Sequence, residues 1–173
     1  RAARKVLART ELGEWDPTQR RHDALATVLA QSHDRVPRLV PIRHGRMAHS
    51  PWTYYRGGAA VMAADLATRP HSGLAVQLCG DAHILNFGLW ATPERSLSFD
   101  LRDFDETLPG PFEWDVARLA ASLVVLSRHN GLDDSVGLEA VDRCMAAYVE
   151  RMAGYAASGQ MEVWYDLVDV DWL

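Results

Sequence analysis

The sequence predicts an α+β fold, mostly helical, and three observations carry that expectation. Apolar residues at helical spacing dominate both ends of the chain. Between them lie short β-rich segments broken by turn residues. The order is helices, then a small group of strands, then long helices, rather than the strand–helix alternation of a parallel sheet. The 173 residues suit one domain of ordinary size. We therefore read 1–173 as a single domain, with a helical and loop segment over 1–70 and a hairpin-and-helix segment over 74–173.

Taken in order, "WDPTQRRHDALATVLAQSHDR" (15–35) predicts a helix. Asp16 can cap it, Pro17 suits its first position, and Leu25, Val28 and Leu29 form an apolar stripe. "VPRLVPIRHGRMAHSPWTYYRGG" (36–58) is punctuated by Pro37, Pro41 and Pro51 and predicts mostly loop. "AAVMAADLAT" predicts a short helix and "GLAVQLCGD" (73–81) a strand. "NFGLWA" and "SLSFDLRDF" predict two strands of a hairpin, with Pro93 second in the turn "TPER". "ETLPGP" (106–111) reads as a loop. "PFEWDVARLAASLVVLSRHNG" predicts a long helix with Trp114, Leu119, Leu123 and Leu126 on one face, stopped by Asn130-Gly131. "DDSVGLEAVDRCMAAYVERMAGYAASG" predicts another, with Leu138, Val141, Met145, Tyr148 and Met152 inward.

Composition narrows the class. Apolar residues make up 48% and charged residues 24%, as in a globular protein that stays in water. No apolar run nears the roughly 20 residues of a membrane-spanning helix, so no membrane partner is expected. Two cysteines, Cys79 and Cys144, form no disulfide framework, which points to the cytoplasm. The net charge of −5 argues against nucleic acid as a partner. The charge is uneven, however. Arg1, Arg4, Lys5, Arg9, Arg20, Arg21, Arg35, Arg38, Arg43, Arg46 and Arg56 lie in the first third, and acids dominate from Asp81 onward. That basic third is a solvated face or a few arginines that meet a phosphorylated ligand. The chain starts with Arg and ends in "EVWYDLVDVDWL", so a piece of a longer protein is expected.

The chemistry concentrates at three acidic clusters. Asp81, His83 and Asn86 follow a strand; Asp100, Asp103, Asp105 and Glu106 close the hairpin; Glu113 and Asp115 open the next helix. The hairpin links Asn86 to Asp103, so the first two clusters should meet. Carboxylates gathered in one place repel, and a hard cation such as Mg²⁺ relieves that through oxygen ligands. The spacing D-x-x-x-x-N, followed by a hairpin and D-F-x, is that of kinase-type phosphoryl transfer. There an Asp orients the attacking hydroxyl, and an Asn and a second Asp hold metal.

"GDAHILNFG" resembles the G-D-x-H-x-x-N loop of aminoglycoside and choline phosphotransferases, and "RDFDETLPGPFEWDVARLAASL" resembles their next segment. That likeness spans roughly residues 74 to 127. The stretch from "RMAHSPWTYYRGGAAVMAADLA" to "DFDETLPGPFEWDVARLAASLVV" more closely resembles a bacterial family, domain of unknown function 2252, over most of the chain. The kinase-like resemblance implies the catalytic-loop lobe of that fold. It implies Asp81 and His83 as catalytic residues, Asp81 orienting or deprotonating the hydroxyl and His83 shaping the site. It implies Asn86 and Asp103 as Mg²⁺ ligands, and Asp115 as a brace for the loop. Asp105 stands where protein kinases have Gly, and is a further ligand or faces solvent. Arg56 is a supporting candidate, either on phosphate or in a structural ion pair. ATP or another nucleotide and a small-molecule hydroxyl are the implied substrates.

No glycine-rich nucleotide loop or strand Lys precedes Asp81; the glycines of "YYRGGAAVM" read as helix-entry glycines. The family likeness places a glycine-rich stretch and a Lys-Glu pair further toward the C-terminus, leaving this chain the catalytic-loop half. Two other classes fit. One is a metal-dependent phosphohydrolase with Asp81, His83, Asp103 and Asp105 around a metal that activates water. The other is a non-catalytic kinase-like binding module. Without any site, Asp81, His83 and Asn86 form a polar turn at a strand end.

Overall fold

The computed structural model describes residues 9–12 and 16–168. Arg1, Arg4, Lys5, and the end of the chain from 169 onward lie outside the described residues. The described residues form an α+β structure of seven α-helices and two small antiparallel sheets. They group into two compact units. One comprises residues 1–81 and 104–118; the other comprises 82–103 and 119–173.

In the first unit, α1 (Ala24–Ala30), α2 (Val40–Met47), α3 (Pro51–Gly57) and α4 (Ala59–Leu66) precede β1 (Ala75–Leu78). The first helix starts later than expected. Asp16 caps only a 3-10 turn at Pro17–Gln19, and Asp23 caps α1 by accepting from Leu25 and Ala26 N–H. Of the predicted stripe, Val28 is buried, packed with Met47 and Val61, whereas Leu25 and Leu29 are exposed. Val28 is the one buried position of this seven-residue helix.

The predicted loop over 36–58 is two helices. Pro41 and Pro51 lie in their first turns, where a missing N–H leaves no bond unmade. Ser50 and Thr53 close a capping box on α3. Gly57 and Gly58 join α3 to α4; a Cβ on Gly57 would lie 2.7 Å from Met47 Sδ. Close packing at a helix junction explains them.

Arg20 donates to Asp65 through Nε and Nη2 along one guanidinium edge, at 2.7 and 2.5 Å, and His22 Nε2 lies 2.7 Å from the same carboxylate. Burial pushes the Asp65 carboxyl up, but the hydrogen bonds from Arg20 and then His22 outweigh it and hold the group below 3.8. A depressed folded value means stability that is present above the ordinary carboxylate range and is lost as pH falls through the folded value. Asp65→Ala is expected to cost about 2 kcal/mol at neutral pH, the scale of charged hydrogen bonds. Urea midpoints of the variant and the parent should converge as pH falls from the ordinary carboxylate range through the depressed folded value; a gap of unchanged size across that fall refutes the ion pair as the cause.

β4 (Leu108–Pro111) corrects the loop reading of 106–111: it pairs with β1, Ala75 opposite Pro111 and Leu78 opposite Leu108. Prolines are tolerated because each strand of a two-stranded sheet keeps one edge unpaired. In the second unit, β2 (Phe87–Ala91) and β3 (Leu97–Leu101) form the predicted hairpin, Phe87 opposite Leu101. Arg95 N–H closes its turn onto Thr92. Val168 carbonyl returns to β3, accepting from Phe99 N–H at 2.8 Å.

α5 (Glu113–His129) supplies both units, up to Arg118 in one and from Leu119 in the other. Gly131 stops it at φ +71°. Its most buried positions are Arg118, Ser122 and Ser127, while the predicted apolar face is half-buried. α6 (Asp134–Tyr155) meets α5 near its start, where a Cβ on Gly137 would lie 3.1 Å from Ser127 Cβ. Beyond that contact, Val141, Met145 and Tyr148 are half-buried, and Leu138 and Met152 are exposed, unlike the inward face expected. α7 (Gln160–Tyr165) follows.

Candidate functional site

Each of the three polar clusters begins from a backbone constraint. β1 ends at Leu78, whose carbonyl accepts from Thr107 Oγ1 at 2.6 Å. The next two N–H groups have no strand partner. Asp115, in the first turn of α5, takes both: Cys79 N–H on Oδ2 at 2.7 Å and Gly80 N–H on Oδ1 at 3.1 Å. Gly80 then turns the chain at φ +85°, a conformation that suits glycine. Glu113, also in the first turn of α5, accepts from Ser72 N–H on Oε1 at 2.7 Å.

The turn delivers Asp81 into a buried ion pair that the sequence reading did not foresee. Asp81 is 7% exposed and Arg118 3%. Arg118 Nε and Nη2 both reach Asp81 Oδ1 at 2.5 Å. Nη2 also donates to Tyr55 carbonyl at 2.8 Å, and the guanidinium lies 4.4 Å from the centroid of the Tyr55 ring. Tyr55 hydroxyl donates to Arg118 carbonyl at 2.6 Å. Burial pushes the Tyr55 phenol up to about 12, against the nearby Arg118 charge and with the help of Asp81. The signal for Arg118 was present in the sequence: Asp115, Arg118 and Ser122 recur at helical spacing, a polar seam through an apolar helix. The cavity bordered by Gly80, Asp115 and Arg118 holds about 20 Å³, room for one water.

Asp105 lies in this same unit, in the turn closed by Thr107 N–H onto Phe104 carbonyl, and is exposed. Arg56 is exposed at the last turn of α3.

The second unit holds the other candidates. His83 is 3% exposed, and its carbonyl accepts from Asn86 N–H at 2.9 Å across a 3-10 turn, Ile84–Asn86. That turn is fixed to α5, since Ile84 N–H donates to Ser122 Oγ at 3.0 Å. The hairpin then returns its far strand. Arg102 N–H donates to Asn86 carbonyl at 2.8 Å, which sets Asp103 one residue past the partner of Asn86. A Cβ on Gly88 would lie 2.6 Å from the Arg102 guanidinium carbon, the far end of an exposed side chain that packs over this strand. The hairpin thus joins Asn86 and the Asp103 backbone at one end, both half-buried.

Among the described residues, no three His, Cys, Asp or Glu side chains converge at metal-ligating distance. Mg²⁺ asks for less: one or two carboxylates and oxygens from substrate phosphates and water. The amide of Asn86 and the carboxylate of Asp103 at the hairpin end meet that requirement in kind. Among the described residues, no helix is long and apolar enough to cross a membrane.

No curated protein and no solved structure matches the chain. Residues 35–173 match the model of a family described as an uncharacterized protein conserved in bacteria, DUF2252. With four-fifths of its length inside that match, the chain belongs to the DUF2252 family.

Proposed function

We propose that this protein is a Mg²⁺-dependent phosphotransferase-like protein, or the catalytic-loop half of one, acting from a nucleotide such as ATP on a small-molecule hydroxyl. The observation that carries this reading is the seating of the Gly80–Asp81 turn. Asp115 fixes two successive N–H groups, so Asp81 sits on a turn that cannot drift, as an in-line acceptor geometry demands. In this reading Asp81 orients the hydroxyl, and His83 shapes its surroundings from a buried position. Asn86 and Asp103 hold Mg²⁺, which when bound offsets phosphate charge. Asp105 is a further ligand from its exposed turn. The setting proposed is the bacterial cytoplasm, where the Cys79 and Cys144 thiols, which form no disulfide, stay reduced.

The test uses the full-length protein with Mg²⁺-ATP and a panel of alcohols and sugars, reading phosphorylated product by ³¹P NMR. Asp81→Ala and Asp103→Ala should each lower turnover by about 10²- to 10⁴-fold, the scale of a lost positioned base or acceptor. Equal turnover in parent and both variants refutes these roles. Release of inorganic phosphate with no organic product supports a phosphohydrolase instead.

A non-catalytic kinase-like module is a second reading, favoured by a specific observation. Asp81 is 7% exposed and its Oδ1 is engaged by Arg118, so a counter-charge occupies the oxygen that a substrate hydroxyl would meet. Mg²⁺-ATP binding by calorimetry without any product would favour this reading.

A further inference from the structure

A separate feature of the first unit is a cleft of about 1150 Å³ bordered by the 3-10 turn Pro37–Leu39, α2 and α3. Small-molecule sites run to roughly 1000 Å³, so it can admit an organic ligand. Its walls combine two chemistries. Arg35, Arg43, Arg46 and Arg56 line it, opposed by a single acid, Asp34. Val36, Leu39 and Ile42 also line it and are each about half exposed, at 52%, 49% and 52%.

The positive charge of this cleft outweighs the acids near it. Among the described residues, no carboxylate lies within ion-pair distance of Arg35, Arg46 or Arg56. Elsewhere Arg20, Arg118, Arg128, Arg143 and Arg151 each meet one. Arg43 Nη2 donates to Gly57 carbonyl at 2.7 Å, yet its enclosed Nη1 has no hydrogen-bond partner. Burial, and then the like charge of Arg35, lowers the Arg43 guanidinium below its ordinary value, with Glu106 opposing. A buried donor left unmatched and four like charges in one hollow are costly unless an anion completes them. Guanidinium forks match phosphate oxygens two at a time. A long polyanion is disfavoured by the net charge of −5.

We propose that the cleft lined by Arg35, Arg43, Arg46 and Arg56 binds a small organic phosphate, its anion on the guanidinium groups and its apolar body on Val36, Leu39 and Ile42. The inference concerns this unit alone and does not rest on the phosphoryl-transfer reading.

The test is calorimetric titration of the full chain, without Mg²⁺, with 1-naphthyl phosphate, inorganic phosphate and 1-naphthol. The whole molecule should bind at least about 10-fold more tightly than either fragment, since both wall chemistries contribute. Arg46→Glu and Arg56→Glu, both at exposed positions where folding is undisturbed, should each weaken 1-naphthyl phosphate about 10-fold or more. Arg143→Glu, on α6 and outside the cleft, should leave it unchanged. No binding of 1-naphthyl phosphate, equal binding of 1-naphthol, or equal losses in all three variants would overturn the proposal.

Discussion

Arg118→Met should destabilise the protein by about 3–5 kcal/mol, because it removes the counter-charge of a buried carboxylate, Asp81. Asp81 is 7% exposed, and Arg118 Nε and Nη2 both reach its Oδ1 at 2.5 Å. The substitution keeps the length of the stem and removes only the charge and its donors. It also frees Tyr55 carbonyl, which accepts from Arg118 Nη2 at 2.8 Å. The control is the double variant Asp81→Leu/Arg118→Met. Replacing both members of a buried pair by apolar groups is often close to neutral, so the double variant should recover most of the loss. Urea denaturation of the parent, both single variants and the double variant closes the cycle. A double variant as unstable as Arg118→Met alone would show that the guanidinium acts through Tyr55 and not through Asp81.

Gly80→Ala is the second large effect. Its backbone has φ +85°, and an added Cβ would lie 2.0 Å from Glu106 carbonyl oxygen and 2.6 Å from the carbonyl carbon. The obstacle is backbone, so no side chain can swing aside. The conformational cost of about 1 kcal/mol adds to an overpacking cost of about 1–3 kcal/mol. A total near 3 kcal/mol is expected. Gly73 separates the two contributions: it has φ +77° but nothing within 4 Å of the added Cβ. Gly73→Ala should cost only the conformational part. Thermal unfolding of both variants gives the comparison, and equal shifts would refute the steric argument. Because Gly80 precedes Asp81, the same variant should disturb the turn that Asp115 holds.

The strand hairpin, α4, α5 and α6 were legible because each follows from neighbouring residues. Two short apolar segments around the turn "TPER" mark β2 and β3, and Asn130-Gly131 ends α5 locally. Three features were not legible for definite reasons. The prolines at 41 and 51 read as breakers, but a proline in a first helical turn starts a helix, and the sequence pattern alone does not distinguish the two. β4 reads as loop because Leu108–Pro111 has no strand pattern; its pairing with β1 comes from residues thirty or more positions away. The inward faces assigned to Leu25, Leu29, Leu138 and Met152 failed because periodicity marks a face without saying what covers it.

For the candidate site, the sequence alone determined which residue types occur and at what spacing: Asp81, His83 and Asn86 after a strand, Asp103 and Asp105 after a hairpin, Asp115 opening a helix. Spacing along one chain fixes such local relations because the hairpin register carries Asn86 back to Arg102 and Asp103. Only the tertiary structure decided the company those groups keep. Asp115 takes two strand-end N–H groups, and Asp81 takes Arg118 from thirty-seven positions away. A buried charge must find its counter-charge wherever the packing brings one, and no local pattern records which helix will supply it.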